Sequence, residues 1–440
     1  MAFARHLMIN PAALAAFLFL PVLLEAQQPT PASQPPQHYR LVDLGTLGGS
    51  NSGNNGGGRQ INKRGVVTGW AETTQRDAIF DQPSFHAFKW HDGVMLDLGT
   101  LTGGADSSYA DAINSEGAVA GWNDALDPTY GAGFVATLWK ASGEIVNLGS
   151  FGGPFSLADD INDRGQVVGG AETTEPDGFT FFGDFLGLPS PTQYHAALWQ
   201  GGAIKDLGTL GGPGSFAMDI NSVGEIAGFS YTNAVPNRST GHPTLAPFLW
   251  RNGRMINLGT LGGVEGWANA VNDAGQVVGG SRIRRGGPMH AFLWDKGSMR
   301  ELAVAGEYSS DSVGTLINGA GDVVIETNGQ NQWQRHYLWQ RGVVTYLAPL
   351  PGFGGPSWAN EMNSKGQIVG QVVDPFFIAN PRAVLWDNRR PVIDLNAFVP
   401  PGSDVVLDEA MGINDLGEIV STGLLPNGDH HVFLLIPVGE

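Results

Sequence analysis

The sequence predicts an all-β fold: a single closed β-propeller of eight four-stranded blades. Three markers carry that prediction, recurring in the same order after residue 38. The first is Asn-x-x-Gly, at Asn62, Asn114, Asn162, Asn221, Asn272, Asn318, Asn363 and Asn414. The second is a run ending in Leu-Trp or a relative, at Trp90, Trp139, Trp199, Trp250, Trp294, Trp339 and Trp386, with Leu435 in the eighth Trp place. The third is Leu-Gly-Thr-Leu-Gly-Gly, clear near Leu44, Leu98, Leu148, Leu207 and Leu258 and degraded at Leu302, Leu347 and Leu395. A period near ~50 residues marks stacked supersecondary units, none stable alone. If the weak copies at Asn318 and Asn414 are counted differently, seven blades plus an appendage is the alternative.

Residues 1–26 read as a secretory signal. Arg5 and His6 give a basic start, Ala13 to Leu24 is apolar, and Leu24-Glu-Ala26 is a tolerable cleavage site. The apolar run is too short for a spanning helix, and no later stretch is long enough either. Residues 27–37 are rich in Gln and Pro and read as an extended linker. From His38 to Glu440 the repeats are continuous, so one domain is expected.

Within a repeat, four strands follow one another. Strand a runs into Asn, as Trp267-Ala-Asn-Ala-Val271. Asn at the first turn position and Gly at the fourth suit a type I turn. Strand b is Gly-x-Val-Val-x-Gly, short and β-branched. Strand c is His-Ala-Phe-Leu-Trp, whose alternation sets His, Phe and Trp on one face. A tight hairpin such as Asn252-Gly253 leads into strand d, which ends at Asp-Leu-Gly or Asn-Leu-Gly. The last repeat supplies only a, b and c, whereas His38 to Leu44 is an orphan strand d. Pairing the two closes the ring and leaves no open edge. An open solenoid would instead need polar caps at both ends.

Composition agrees. Glycine at 64 of 440 residues supplies the turns, and a net charge of −18 argues against nucleic acid and anionic membrane surfaces. There is no cysteine, so no disulfide, and a chain this long can bury enough core without one.

The repeat resembles that of the HAF family of probable bacterial extracellular repeat proteins. The His-Ala-Phe triplet is intact at His86-Ala-Phe88 and His290-Ala-Phe292, altered at His195 and His431, and lost in the other copies. The resemblance implies an exported protein, secreted or periplasmic. It carries no reaction and no catalytic residues.

In a propeller the a–b and c–d turns share one face, and the b–c and d–a connections share the other. The first set is uniformly tight here. The b–c loops vary: 71–85, 123–134, 171–194, 229–247, 281–289 and 372–382. Variable loops on a rigid scaffold are where binding usually resides. The third b–c loop carries Phe179, Phe181, Phe182 and Phe185, either a ligand surface or a local plug over the ring. The eight Asn residues are read as structural turns. The strand-c His residues, one per blade and far apart, are read as hydrogen-bonded blade residues rather than metal ligands.

Strand a lines the channel, and its carboxylates gather on few blades: Asp111, Asp159, Asp160, Asp219 and Glu361. They suit a cation or sugar hydroxyls (Asp111, Asp160 and Asp219 above all), acid chemistry if close and dry, or anchoring of Gly-rich loops. Gly-Thr-Leu-Gly-Gly has no Lys-Ser/Thr after it and is not a phosphate loop. There is no nucleophile elbow, no His-Glu-x-x-His and no calcium loop, and neither metal nor cofactor is expected. The leading expectation is a monomeric, exported, non-enzymatic binding module acting through the b–c face on a glycan, a protein or another surface component. A polysaccharide-active enzyme using channel acids and a structural envelope component are the alternatives.

Overall fold

Each repeat buries an apolar face on both sides, because a blade is sandwiched between its two neighbours. The strands therefore form eight four-stranded antiparallel sheets, each hydrogen-bonded only within itself. This computed structural model describes residues 38–438, apart from 55–57, 78, 105, 180–181, 184–190, 305–310, 329–332 and 388–389. The expected signal and linker lie outside the described residues. No helix among them is long and apolar enough to cross a membrane.

Blade 5 shows the pattern: strands Gly266–Val271, Val277–Arg282, Met289–Asp295 and Ser298–Glu301 pair in order. Strand c is buried along nearly its whole length, while strand d is mostly exposed at the rim. Ala227 and Leu249 of blade 4 pack with Leu258, Val277, Phe292 and Trp294 of blade 5. Trp294 is 5% exposed and Leu435, in the eighth Trp place, is fully buried. We expect Trp294→Ala to cost about 3–5 kcal/mol in denaturant unfolding, through cavity formation at this interface; a cost below about 1 kcal/mol would place Trp294 outside the core.

The count is eight, not seven. Strand β1 (His38–Asp43) pairs with the last strand, His430–Val438, from His38 opposite Val438 to Asp43 opposite Phe433. Val420, Val432 and Leu434 of the last blade then join Leu44, Ile61, Val67, Phe88 and Trp90 of the first in one core. The ring seam is as apolar as any internal interface.

Two local departures appear. Strand a of blade 1 is Gly48–Gly53, well short of Asn62; the chain leaves the sheet at Asn54, and only Ile61 bridges back to Val67. Beyond the strand, Asn54 turns its side chain back, donating to Thr68 O at 2.7 Å and to Gln60 Oε1 at 3.1 Å. In blade 7 strand d shrinks to Ile393–Asp394, followed by a single 3-10 turn, Leu395–Phe398.

In blades 1, 3, 4, 5 and 6 the c–d hairpins have positive φ at both central residues, as at Asn252 (52°) and Gly253 (78°), the type I′ geometry that matches strand twist. Lys296 adopts the same conformation at 48°. Because a left-handed residue with a long side chain is strained, Lys296→Asn is expected to raise stability by about 0.5–1 kcal/mol in urea titration.

Candidate functional site

The channel wall is built from strand a, and each such strand carries a β-bulge. Register shifts fall at Asp111, Asp159, Met218, Asn269, Thr315, Asn360 and Met411, always three residues before the turn Asn. A bulge re-aims the side chains beside it. Arg59 holds the same place in blade 1.

Below the bulges runs a belt. Each turn Asn accepts through Oδ1 the backbone N–H groups two and four residues on, as Asn221 does from Val223 (3.2 Å) and Glu225 (2.8 Å). Its Nδ2 then donates to the backbone carbonyl of the next blade's Asn: 62 to 114, 114 to 162, 162 to 221, 221 to 272, 272 to 318, 363 to 414 and 414 back to 62, at 2.9–3.2 Å. Asn318 donates to Asp322. The Asn residues stand at the a–b turns, and they are also the links between blades. Replacing Asn221 by Ala leaves two partly buried amides and a buried carbonyl without partners, so a loss of roughly 2–4 kcal/mol is expected in chemical denaturation. A loss under about 1 kcal/mol would refute the belt as a stabilising element.

The strand-c His residues are hydrogen-bonded to strand d. His86 Nδ1 meets Asp97 at 2.9 Å, His195 meets Asp206 at 2.8 Å, His290 meets Glu301 at 2.6 Å, and His431 meets Asp43 of β1 at 2.8 Å. Burial raises the Asp97 and Asp206 carboxyls, but the His rings and the amides of Gly99 and Gly208 outweigh it and hold both below the usual range.

The channel carboxylates divide. Asp160 and Asp219 lie within hydrogen-bonding reach of each other; Asp219 is pushed well above the carboxylate range by burial first and then by the Asp160 charge. Each also ties to the next blade: Asp160 accepts from Ile220 N (3.3 Å) and Asp219 from Val271 N (2.6 Å). Glu361 is pushed up to about 7 by burial, although Arg59 opposes the shift. Arg59 stands in the field of Asp160, Glu361, Asp163 and Asp219, which outweighs its own desolvation and keeps it charged. It remains solvent-exposed within the channel. Asp111 is buried at its bulge, and its carbonyl accepts from Gln60 Nε2 at 2.8 Å; Asp159 is half-buried. Thus three of the five anticipated acids gather around one arginine, a residue the acid pattern did not single out.

Further buried acids were missed, Asp124 and Glu172 among them. Asp124 of blade 2 is pushed up to about 8 by burial first and then by its neighbour Asp77. Glu172 of blade 3 has no exposed surface; burial drives it up to about 7, despite the amide of Phe155 bonded to it at 3.2 Å. The equivalent residue in blade 1, Glu72, accepts from Ser50 N (2.9 Å) and Asn51 N (3.1 Å), anchoring the Gly-rich connection. Loop anchoring therefore falls on strand b.

On the b–c face the third loop turns inward. Phe182 is 1% exposed, packed among Tyr194, Phe216, Phe229 and Tyr231, and Phe179 lies half-buried against this cluster. Phe182 therefore forms a plug and not an accessible surface. Phe181 and Phe185 lie outside the described residues. What the face does present is a set of apolar tips: Phe80 (42% exposed), Leu126 (67%), Tyr130 (46%), Val235 (73%), Phe376 (76%), Phe377 (64%) and Ile378 (85%). No group of His, Asp or Glu among the described residues is arranged to hold a metal ion.

No family profile matches the chain, and no curated protein does. Solved structures do resemble it. A prolyl endopeptidase structure matches at 12% identity over 83% of this chain and 53% of that chain, with TM-score 0.50. TolB from Acinetobacter baumannii matches at 12% identity over 72% of this chain and 80% of that chain, with TM-score 0.34. A puromycin-hydrolysing peptidase from Mycobacterium tuberculosis matches at 11% identity over 91% of this chain and 53% of that chain, with TM-score 0.42. The chain spans about half the length of the two peptidases. At this identity the likeness to the prolyl endopeptidase is one of fold alone.

Proposed function

We propose that the protein is an exported, non-enzymatic binding module that engages a surface component, a glycan among the candidates, through its b–c loop face. One observation carries the reading. Half of the exposed large apolar residues among those described, seven of fourteen, stand on b–c loops. The rest are scattered over outer strands, a–b turns and the last strand. Exposed apolar side chains gathered on one face of a rigid scaffold mark an interaction surface. The resemblance of the repeat to the HAF family supports export.

The contact between Asp160 and Asp219 favours the enzyme reading, because a buried carboxyl raised beside a second one can act as an acid. Both residues, however, are engaged with backbone amides of neighbouring blades, as inter-blade ties would be. The test is incubation with a polysaccharide panel, followed by affinity electrophoresis and product analysis, with Asp219→Asn alongside. Retention without product in both proteins supports the binding module. Product release abolished by Asp219→Asn replaces it with an enzyme.

A further inference from the structure

The exposed apolar tips share one supporting device. In blade 1, Asp77 Oδ1 accepts the amides of Ile79 (2.7 Å) and Phe80 (2.9 Å). In blade 2, Asp127 Oδ1 accepts those of Thr129 (2.7 Å) and Tyr130 (2.9 Å). In blade 4, Asn233 Oδ1 accepts that of Val235 at 2.8 Å. In blade 7, Asp374 accepts Phe376 N at 2.9 Å and Ala379 N at 2.6 Å, and its own carbonyl accepts Phe377 N at 3.1 Å. Each time a side chain that bonds its own backbone two or three residues on folds the loop into a turn with an apolar residue outermost. The blade 7 tip goes furthest. Asp374 itself is buried, Phe377 is held at φ 55°, and the seven residues 375–381, Pro-Phe-Phe-Ile-Ala-Asn-Pro, carry no charge. A strained, fixed turn that holds three large apolar side chains in water does nothing for the core.

Resting on the reading of this face as the binding surface, we propose that its partner is a lipid surface with electroneutral headgroups, into which the b–c tips insert. Two features choose lipid. The tips are separate convex points on blades 1, 2, 4 and 7, with polar chain between them. A fluid apolar phase receives such points all at once, whereas a protein would need a matching pocket for each. The blade 7 tip carries no charge, which matches electroneutral headgroups.

The experiment is co-sedimentation of residues 27–440, which hold the whole closed ring and omit the apolar 13–24 stretch, with phosphatidylcholine vesicles. The parent is expected to partition. A triple variant, Phe376→Ser, Phe377→Asn and Ile378→Ser, is expected to lose tenfold or more in partition coefficient with an unchanged melting temperature. Val343→Ser, equally exposed at 65% but on the outer rim, is expected to stay within about twofold. A parent that stays in the supernatant overturns the proposal, whatever the polysaccharide test has shown. So does a triple variant that sediments like the parent, or a loss of equal size in Val343→Ser. Tip variants that lose a protein partner while the parent ignores vesicles overturn the lipid assignment and leave the binding face standing.

Discussion

Deleting residues 38–45 is expected to unfold the whole ring, not merely to trim its rim. The segment supplies six paired positions to the last strand and brings Tyr39 and Leu44, both under 9% exposed, into two separate cores. Burial of these and of the half-buried Leu41 and Val42 contributes on the order of 5–10 kcal/mol. That rivals the total stability of an ordinary domain, about 5–15 kcal/mol. It also supplies Asp43, the partner of His431. Circular dichroism of the deletion protein should show loss of the cooperative transition or a midpoint lowered by tens of degrees. A truncated chain that melts like its parent would mean that the ring is held shut elsewhere.

Raising the pH through neutrality is expected to destabilise the fold. Asp124 holds its proton up to about 8, and Glu172, Glu361 and Glu409 to about 7, with burial the leading cause in each. The Asp124–Asp77 and Asp219–Asp160 contacts add to the effect. These folded values lie above the unfolded ones, so their contribution is complete below about pH 4 and disappears as pH rises through about 7 to 8. His242 acts in the same direction: its Nδ1 meets the Pro243 carbonyl (2.9 Å) and its Nε2 meets Glu265 (3.0 Å). Burial lowers its affinity for the proton but these acceptors raise it further. The depressed acids Asp97, Asp163, Asp206 and Glu265 oppose this only in acid, where their contribution is lost as pH falls. For fully buried Glu172, a move from 4.5 to about 7 is worth on the order of 3 kcal/mol. Urea titrations at about pH 6 and pH 9 should show a clear drop in the parent and a smaller drop in Glu172→Gln, which cannot ionise. An identical drop in both would remove Glu172 from the account.

Blade count, the buried Trp places and the tight hairpins were legible because each depends on residues close in sequence and repeated along the chain, and ring closure was legible because His38 to Leu44 reads as the strand d that the last repeat lacks. Asn next to Gly makes its own turn, and alternation makes its own strand. The belt was not legible, because the acceptor for Asn221 is the carbonyl of Asn272, a backbone group with no sequence signature. The bulges were hidden for a similar reason: Asp111, Met218 and Thr315 share no chemistry, only a register. The sequence left Phe182 open between a ligand surface and a plug, because nothing near it in sequence shows that Gly214 leaves the space its ring occupies, where a Cβ would lie 2.9 Å from it. The channel acids were found as a group, yet Arg59 reaches them from the glycine-interrupted first strand, where a regular repeat would have placed one more ordinary wall residue.

The pairing of first and last strands also decides how the ring answers mechanical load. His38 lies opposite Val438, so tension applied at these two residues pulls on the same end of an antiparallel pair. The bonds would then break one after another, as a zipper opens, whereas loads applied at opposite ends would strain them together in shear. A ring that resists heat as one cooperative body would therefore open at modest force from a single point on its rim, and a tether fixed at only one of the two residues would leave it shut.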